Sequence, residues 1–371
     1  MFLSHWHVWS NFTPHGAAER FLRYFGENTY TTLSVLIWPT GGHHPAVICF
    51  FVLSGFCIHY PFAIRRRNGE AADWPAYYRR RFGRIFPVYW LAALFGLAFV
   101  ATQTLHPAAS PLLQFHASYS SVGVAARLTG IEGLYPHEII AGNYILTTVA
   151  SEVIMYALYP LLHAFAARYG WARLGATCGA LHLFSLVLLG LGVTPFWVFN
   201  SFFMLGIFWF AGAFSAHLFI EGRAGVHPLW LPATWVAFLL AKAVPHFTGL
   251  NLIKQALWGL VCTLAILLVL ELEQRHAGWR AWRSMRSLRY LGQISYSLYA
   301  VHTPAIMLVS WCLLQAGYPD YLTQLVVTLL FSAAATLLAH HGVERRFYSR
   351  RQNEGAGARA PAPAHTRTLT N

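Results

Sequence analysis

The stretch Val47–Trp90 decides the architecture. It reads VICFFVLSGFCIHYPFAI (47–64), then Arg65-Arg66-Arg67 and a short polar turn, then YYRRRFGRIFPVYW (77–90). An apolar run containing Ser54 and Gly55 gives way to seven arginines between positions 65 and 84, and a second apolar run begins at Ile85-Phe86-Pro87. A membrane helix, a basic turn able to bind an anion at one face, and a second membrane helix produce this order.

The bulk composition agrees. Of 371 residues, 56% are hydrophobic and only 11% charged, with a mean hydropathy of +0.45. Soluble domains carry about 25% charged residues. Repeated apolar runs of about 20 residues predict an all-α, polytopic transmembrane bundle. A β-barrel would instead alternate in segments of about 10 residues. The first apolar run has neither the basic start nor the small-residue cleavage site of a signal peptide. Five cysteines (Cys49, Cys57, Cys178, Cys262 and Cys312) all fall in apolar segments with no CxxC. They read as small packing residues, with no disulfide or metal assigned to them.

Working outward, the predicted spans are 1–13, 45–63, 85–105, 139–165, 172–193, 196–219, 228–245, 251–270, 290–316 and 320–341. The first, MFLSHWHVWSNFT, would reach about 20 Å as a helix against a bilayer core of about 30 Å. It is therefore expected to be truncated: either the chain begins inside this span or its start lies upstream. The domain expectation is a membrane-embedded unit over 1–345 and a basic, Ala/Pro/Gly-rich disordered tail over 346–371. Assigning alternate connections to one side collects 21 of the 26 Lys/Arg there, including Arg65–Arg67, Arg79–Arg81, Arg84 and six tail arginines. The opposite connections hold Arg20, Arg23 and Arg127. The positive-inside rule then predicts cytosolic termini and a cytosolic 64–84 turn. Because the net charge of +13 lines one membrane face, nucleic acid is not an expected partner.

Ionisable groups deep in a bilayer are expensive, so each suggests chemistry. His5, Glu152 and His302 fall near the middles of their predicted spans, and Arg81 and Arg84 mark the cytosolic mouth of the 85–105 span. Asp73 is placed to cap a helix opened by Trp74-Pro75. On that helix Tyr77, Arg81 and Arg84 share one face. Arginine forks over a helix start suit a phosphate-bearing ligand. Against this, arginines at helix ends are also ordinary topology determinants, and an intramembrane histidine often serves only as an interhelical hydrogen-bonder.

These residues resemble the bacterial acyltransferase family 3, the integral-membrane O-acyltransferases that decorate O-antigen, exopolysaccharide and Nod factor. FFVLSGFCI (50–58) is similar to its FFxLSGFxI signature, and RRRFGRIFPVYW (79–90) to its R-x-x-R-I-x-P-x-Y element. SEVIMYALYPLL (151–162) resembles VExxFYLxxPLL, with Glu152, Tyr156 and Pro160 in register. GQISYSLYAVHTPAI (292–306) is similar to GxxSYxLYLxHxP, and HGVERRF (341–347) more distantly to a closing Y-x-x-E-K-P-F. The family also implies a histidine in the first span, which Leu3-Ser4-His5 matches. Its usual arginine about a dozen positions earlier would precede residue 1.

The resemblance implies a multi-pass protein of the bacterial inner membrane that transfers an acyl group, acetyl foremost, from acyl-CoA to a hydroxyl of a glycan or glycolipid, with no bound cofactor. Histidine titrates near neutrality and suits the base that an alcohol needs. His5 is thus the expected base or transient acyl carrier, with Glu152 orienting or charge-balancing it. Arg81 and Arg84, with Tyr77 or Tyr78, are expected to bind the CoA phosphates. Ser54-Gly55 would let the thioester approach closely, and His302 would support the reacting groups. Trp38, His43, His44, His116, Tyr119 and Tyr135, in connections 14–44 and 106–138, form an expected acceptor surface. Two other classes fit parts of the pattern: a transporter or flippase relaying protons through His5, Glu152 and His302, and a non-catalytic membrane partner. No repeat relates residues 1–185 to 186–371, which counts against the transporter.

Overall fold

In lipid every backbone polar group must be satisfied inside the protein, which leaves helices as the economical way for apolar runs of this length to fold. The computed structural model describes residues 45–105, 121–132, 143–191, 202–223, 229–243, 251–275, 283–317 and 321–347. Among these residues there are ten α-helices and no strands. They are α1 (Pro45–Arg67), α2 (Trp74–Leu105), α3 (Ser121–Thr129), α4 (Leu146–Tyr169), α5 (Trp171–Gly190), α6 (Phe202–Ile220), α7 (Trp230–Ala243), α8 (Asn251–Arg275), α9 (Arg283–Gln315) and α10 (Tyr321–Ala339). Eight are long and apolar enough to cross a membrane, all but α3 and the shorter α7. The protein is a multi-pass, all-α membrane bundle.

The central contact is between α1 and α6, and two glycines allow it. A Cβ on Gly55 would lie 1.9 Å from the Trp209 carbonyl oxygen, and one on Gly212 would lie 1.8 Å from that of Val52. Backbone thus meets backbone, the close approach that small residues give to membrane helices. Ile48, Phe51, Val52, Leu205, Phe208 and Trp209 fill the core around this crossing. Large apolar side chains such as Leu161, Leu183, Leu330 and Leu338 are exposed, as a lipid-facing surface requires.

At the arginine-bearing end, α1 stops at Gly69, whose φ of 74° allows Gly69 N–H and Glu70 N–H to reach back to the Arg66 and Arg65 carbonyls. Glycine occupies such left-handed helix ends without steric cost. Arg67 also donates to the last carbonyl of α6, Ile220 O, at 3.0 Å. The expected Asp73 cap is present, with the Ala76 amide donating to Asp73 Oδ1 at 3.0 Å. The helix it opens does not end before the membrane span. It runs unbroken through Pro87 to residue 105, so Arg81 and Arg84 are rigidly fixed to the span itself. In the same way the 290–316 span begins earlier, at Arg283.

The connection read as an outer loop, 106–138, is the larger correction. Its described part contains α3, and Arg127, counted above among the few charges of outer loops, is fully buried within the bundle. Its Nε pairs with Glu132 Oε2 at 2.6 Å, and its guanidinium also donates to the Asn143 carbonyl. Tyr89 donates to Arg127 O at 2.7 Å and Trp90 Nε1 to Leu128 O at 2.9 Å, which pins the end of α3 against α2. Tyr89 is five residues along α2 from Arg84, about 8 Å. The segment therefore penetrates to a depth near the arginines. Nine residues with mixed polarity carry no span signal, so the sequence pattern could not predict this insertion. The expected span at 139–165 correspondingly becomes a helix only from Leu146. The predicted span at 1–13 with His5, the acceptor residues Trp38, His43, His44, His116, Tyr119 and Tyr135, and the tail from 348 lie outside the described residues.

Candidate active site

Four helices converge beside the arginine-bearing end on a cavity of about 320 Å³. Ser54 and Cys57 come from α1, Arg81 and Arg84 from α2, Glu152 and Tyr156 from α4, and Ser295, Tyr296 and Tyr299 from α9. Helical spacing explains each pairing. Glu152 and Tyr156 are four residues apart and so share a face. Tyr296 and Tyr299 are three apart and do the same.

Glu152 is buried, only 4% exposed. Its partner is the Tyr156 hydroxyl, which donates to Glu152 Oε1. Ser54 in turn donates to the Tyr156 hydroxyl oxygen at 3.2 Å. The result is a Ser54–Tyr156–Glu152 chain of hydroxyls ending on a carboxylate. Removing a carboxylate from water is tolerable only with such partners.

Arg81 donates from Nη2 to the Cys57 carbonyl at 3.2 Å and lies 5.9 Å over the Tyr156 ring. Arg84 Nε lies 4.0 Å from Glu344 Oε1. Both guanidiniums face the cavity that also holds Glu152, so its mouth is cationic and its wall carries one acid. Two further hydroxyls fasten the frame: Tyr296 donates to Ile85 O at 2.9 Å and Tyr299 to Ile145 O at 3.3 Å.

The structure thus brings Glu152, Arg81, Arg84 and Ser54 to one cavity. Four other candidates are not among its lining residues. Gly55 faces Trp209 of α6, because its missing side chain is what lets α1 and α6 touch. Tyr78 donates to Ala157 O at 2.9 Å and stacks on Phe82, and Tyr77 donates to Tyr156 O at 3.1 Å. These two tyrosines tie α2 to the α4 backbone. His302 is buried one turn beyond Tyr299, and its Nδ1–H is shared between Leu298 O (3.0 Å) and Tyr299 O (2.8 Å). Its Nε2 lies 3.4 Å from Thr303 Oγ1. Sequence reading missed Tyr156, Tyr296 and Tyr299 as cavity residues. The four-residue spacing from Glu152 was the available signal for Tyr156, whereas nothing local links α9 to α4.

Fold and site define a membrane-embedded helical bundle with a cavity that two arginines and a buried acid line at one end. The model of acyltransferase family 3, described as an acyltransferase domain, matches residues 1–340, and the chain belongs to that family. By family it is a membrane acyltransferase. No curated protein and no solved structure matches it.

Proposed function

We propose that the protein is an O-acyltransferase that moves an acyl group, acetyl foremost, from acyl-CoA to a hydroxyl of a glycan or glycolipid, in the inner membrane of a bacterium and with its arginine-bearing end in the cytosol. One observation carries this reading: two guanidiniums and a buried carboxylate–phenol pair line the same cavity. Arg81 and Arg84 bind the phosphates of the donor. The thioester then extends past Ser54 toward Tyr156 and Glu152.

In the reaction the acceptor oxygen attacks the thioester carbonyl carbon; an acyl–oxygen bond forms as the acyl–sulfur bond breaks. The acceptor proton passes to a base, and CoA leaves as a thiolate that takes up a proton. His5 is that base, or the transient acyl carrier, since imidazole is half-protonated near neutral pH. Glu152 orients or charge-balances the imidazole, and Tyr156 holds the carboxylate in place through its hydroxyl.

The test is turnover of labelled acetyl-CoA by the purified full chain, together with surface-glycan acetylation in cells with and without it. Arg81→Gln and Arg84→Gln are expected to weaken CoA binding by about tenfold each, and His5→Ala to abolish transfer. Unchanged CoA affinity in both arginine variants would reduce them to topology residues. Wild-type turnover in His5→Ala would remove His5 from the chemistry.

A further inference from the structure

Arg84 lines the cavity with an acid from beyond α10 beside it. Helix α10 ends in a single π-helical turn, His340–Glu344, closed by the Arg345 amide bonding back to His340 O. One extra residue per turn rotates everything after it relative to an α-helix, and such turns occur frequently at functional sites. Here the rotation brings Glu344 against α2 and α9. Its carboxylate is 5% exposed. One oxygen, Oε2, accepts from the Ser297 hydroxyl at 2.6 Å and lies 2.9 Å from His340 Nδ1. The other, Oε1, is left facing Arg84 Nε at 4.0 Å. A carboxylate locked by two partners on one oxygen is a rigid anchor for whatever faces the other.

We propose that Glu344 is a positioning residue: held by Ser297 and His340 on the π-turn, it sets the direction in which Arg84 presents its guanidinium to an anionic donor. The inference rests on the acyl-CoA reading above. It assigns Glu344 no contact with substrate and no proton transfer. An arginine fork discriminates by orientation as much as by charge, so the loss should appear in recognition of the phosphates and spare the chemical step.

The experiment compares two donors on the purified full chain in lipid nanodiscs: acetyl-CoA, and S-acetylpantetheine, which carries the same thioester without phosphates. Glu344→Gln is expected to raise the KM for acetyl-CoA about tenfold, keep kcat within about twofold, and leave turnover of S-acetylpantetheine unchanged. Arg84→Gln should also raise the KM for acetyl-CoA, and the double variant should add little to either single one, because both remove one interaction. Ser297→Ala removes one of the two partners of Glu344 Oε2 without altering charge. A rise of about threefold in the acetyl-CoA KM is expected from it, and it decides the matter alone if Glu344→Gln fails to insert. An unchanged KM, an equal loss on both donors, or full additivity of Glu344→Gln with Arg84→Gln would overturn the proposal while leaving acyl-CoA turnover standing. A wild-type chain that turns over neither donor would overturn the acyl-CoA reading and this inference with it.

Discussion

Replacing Gly55 with alanine separates a packing role from a donor-access role at the SGF signature. The new methyl would lie 1.9 Å from Trp209 O, 2.8 Å from its carbonyl carbon and 3.1 Å from Ala213 N. Ordinary contact begins at 3.4 Å, so α1 and α6 must separate by more than about 1 Å at the crossing. The obstructing atoms are backbone within a helix, so no rotamer change relieves them. Overpacking of this kind costs about 1–3 kcal/mol, sometimes more, and in a bilayer the lost contacts between Val52, Phe51, Phe208 and Trp209 are not repaid by hydrophobic collapse. A loss of about 3 kcal/mol corresponds to a fall in Tm of roughly 5 °C or more. The assay is a thermal melt in detergent reported by a thiol-reactive dye, since all five cysteines are free and Cys262 is buried. Gly212→Ala meets Val52 O at 1.8 Å and should fall as far, whereas Gly292, with nothing within 4 Å, should tolerate alanine or gain slightly. A Gly55→Ala protein that melts like wild type but binds acyl-CoA more weakly would refute the packing argument and restore Gly55 to the donor path.

The buried Arg127–Glu132 pair gives a second expectation: Glu132→Gln removes the anionic partner of a fully buried guanidinium and should cost about 3–5 kcal/mol, while a joint Arg127→Met, Glu132→Leu change should cost much less. Equal melts for the single and joint variants would show that the pair is not coupled. Tyr156→Phe removes the hydroxyl that links Ser54 to Glu152 and should lower kcat about tenfold to a hundredfold with little change in KM for the donor; an unaltered kcat would make the phenol a packing group. Asp73→Ala should lose about 1 kcal/mol of helix capping without a change in donor KM, and a kinetic defect in it would mean that the α2 start is part of the donor site.

Much of this protein was legible in one dimension because a bilayer imposes one rule over every span: about 20 apolar residues, with every backbone group bonded internally. That rule placed α1, α2, α4 to α6 and α8 to α10 from hydropathy, and the motifs around Ser54, Arg81/Arg84, Glu152 and His302 identified the family. Helical periodicity also put Arg81 and Arg84 on one face. Three matters were settled only in three dimensions. Glu152 faces the arginines because α1, α2, α4 and α9 converge, a relation among residues up to 245 positions apart (Ser54 to Tyr299). Arg127 entered the bundle because Glu132 and Asn143 were there to receive it, and a nine-residue helix leaves no hydropathy signal. Gly55 turned from the thioester to Trp209 because the side of a helix that needs no side chain is chosen by the neighbouring helix. The single chain therefore determined which segments cross the membrane and which residue types can carry the chemistry. Only packing decided which of them meet, since interhelical contacts depend on the shape of partners that sequence spacing does not encode.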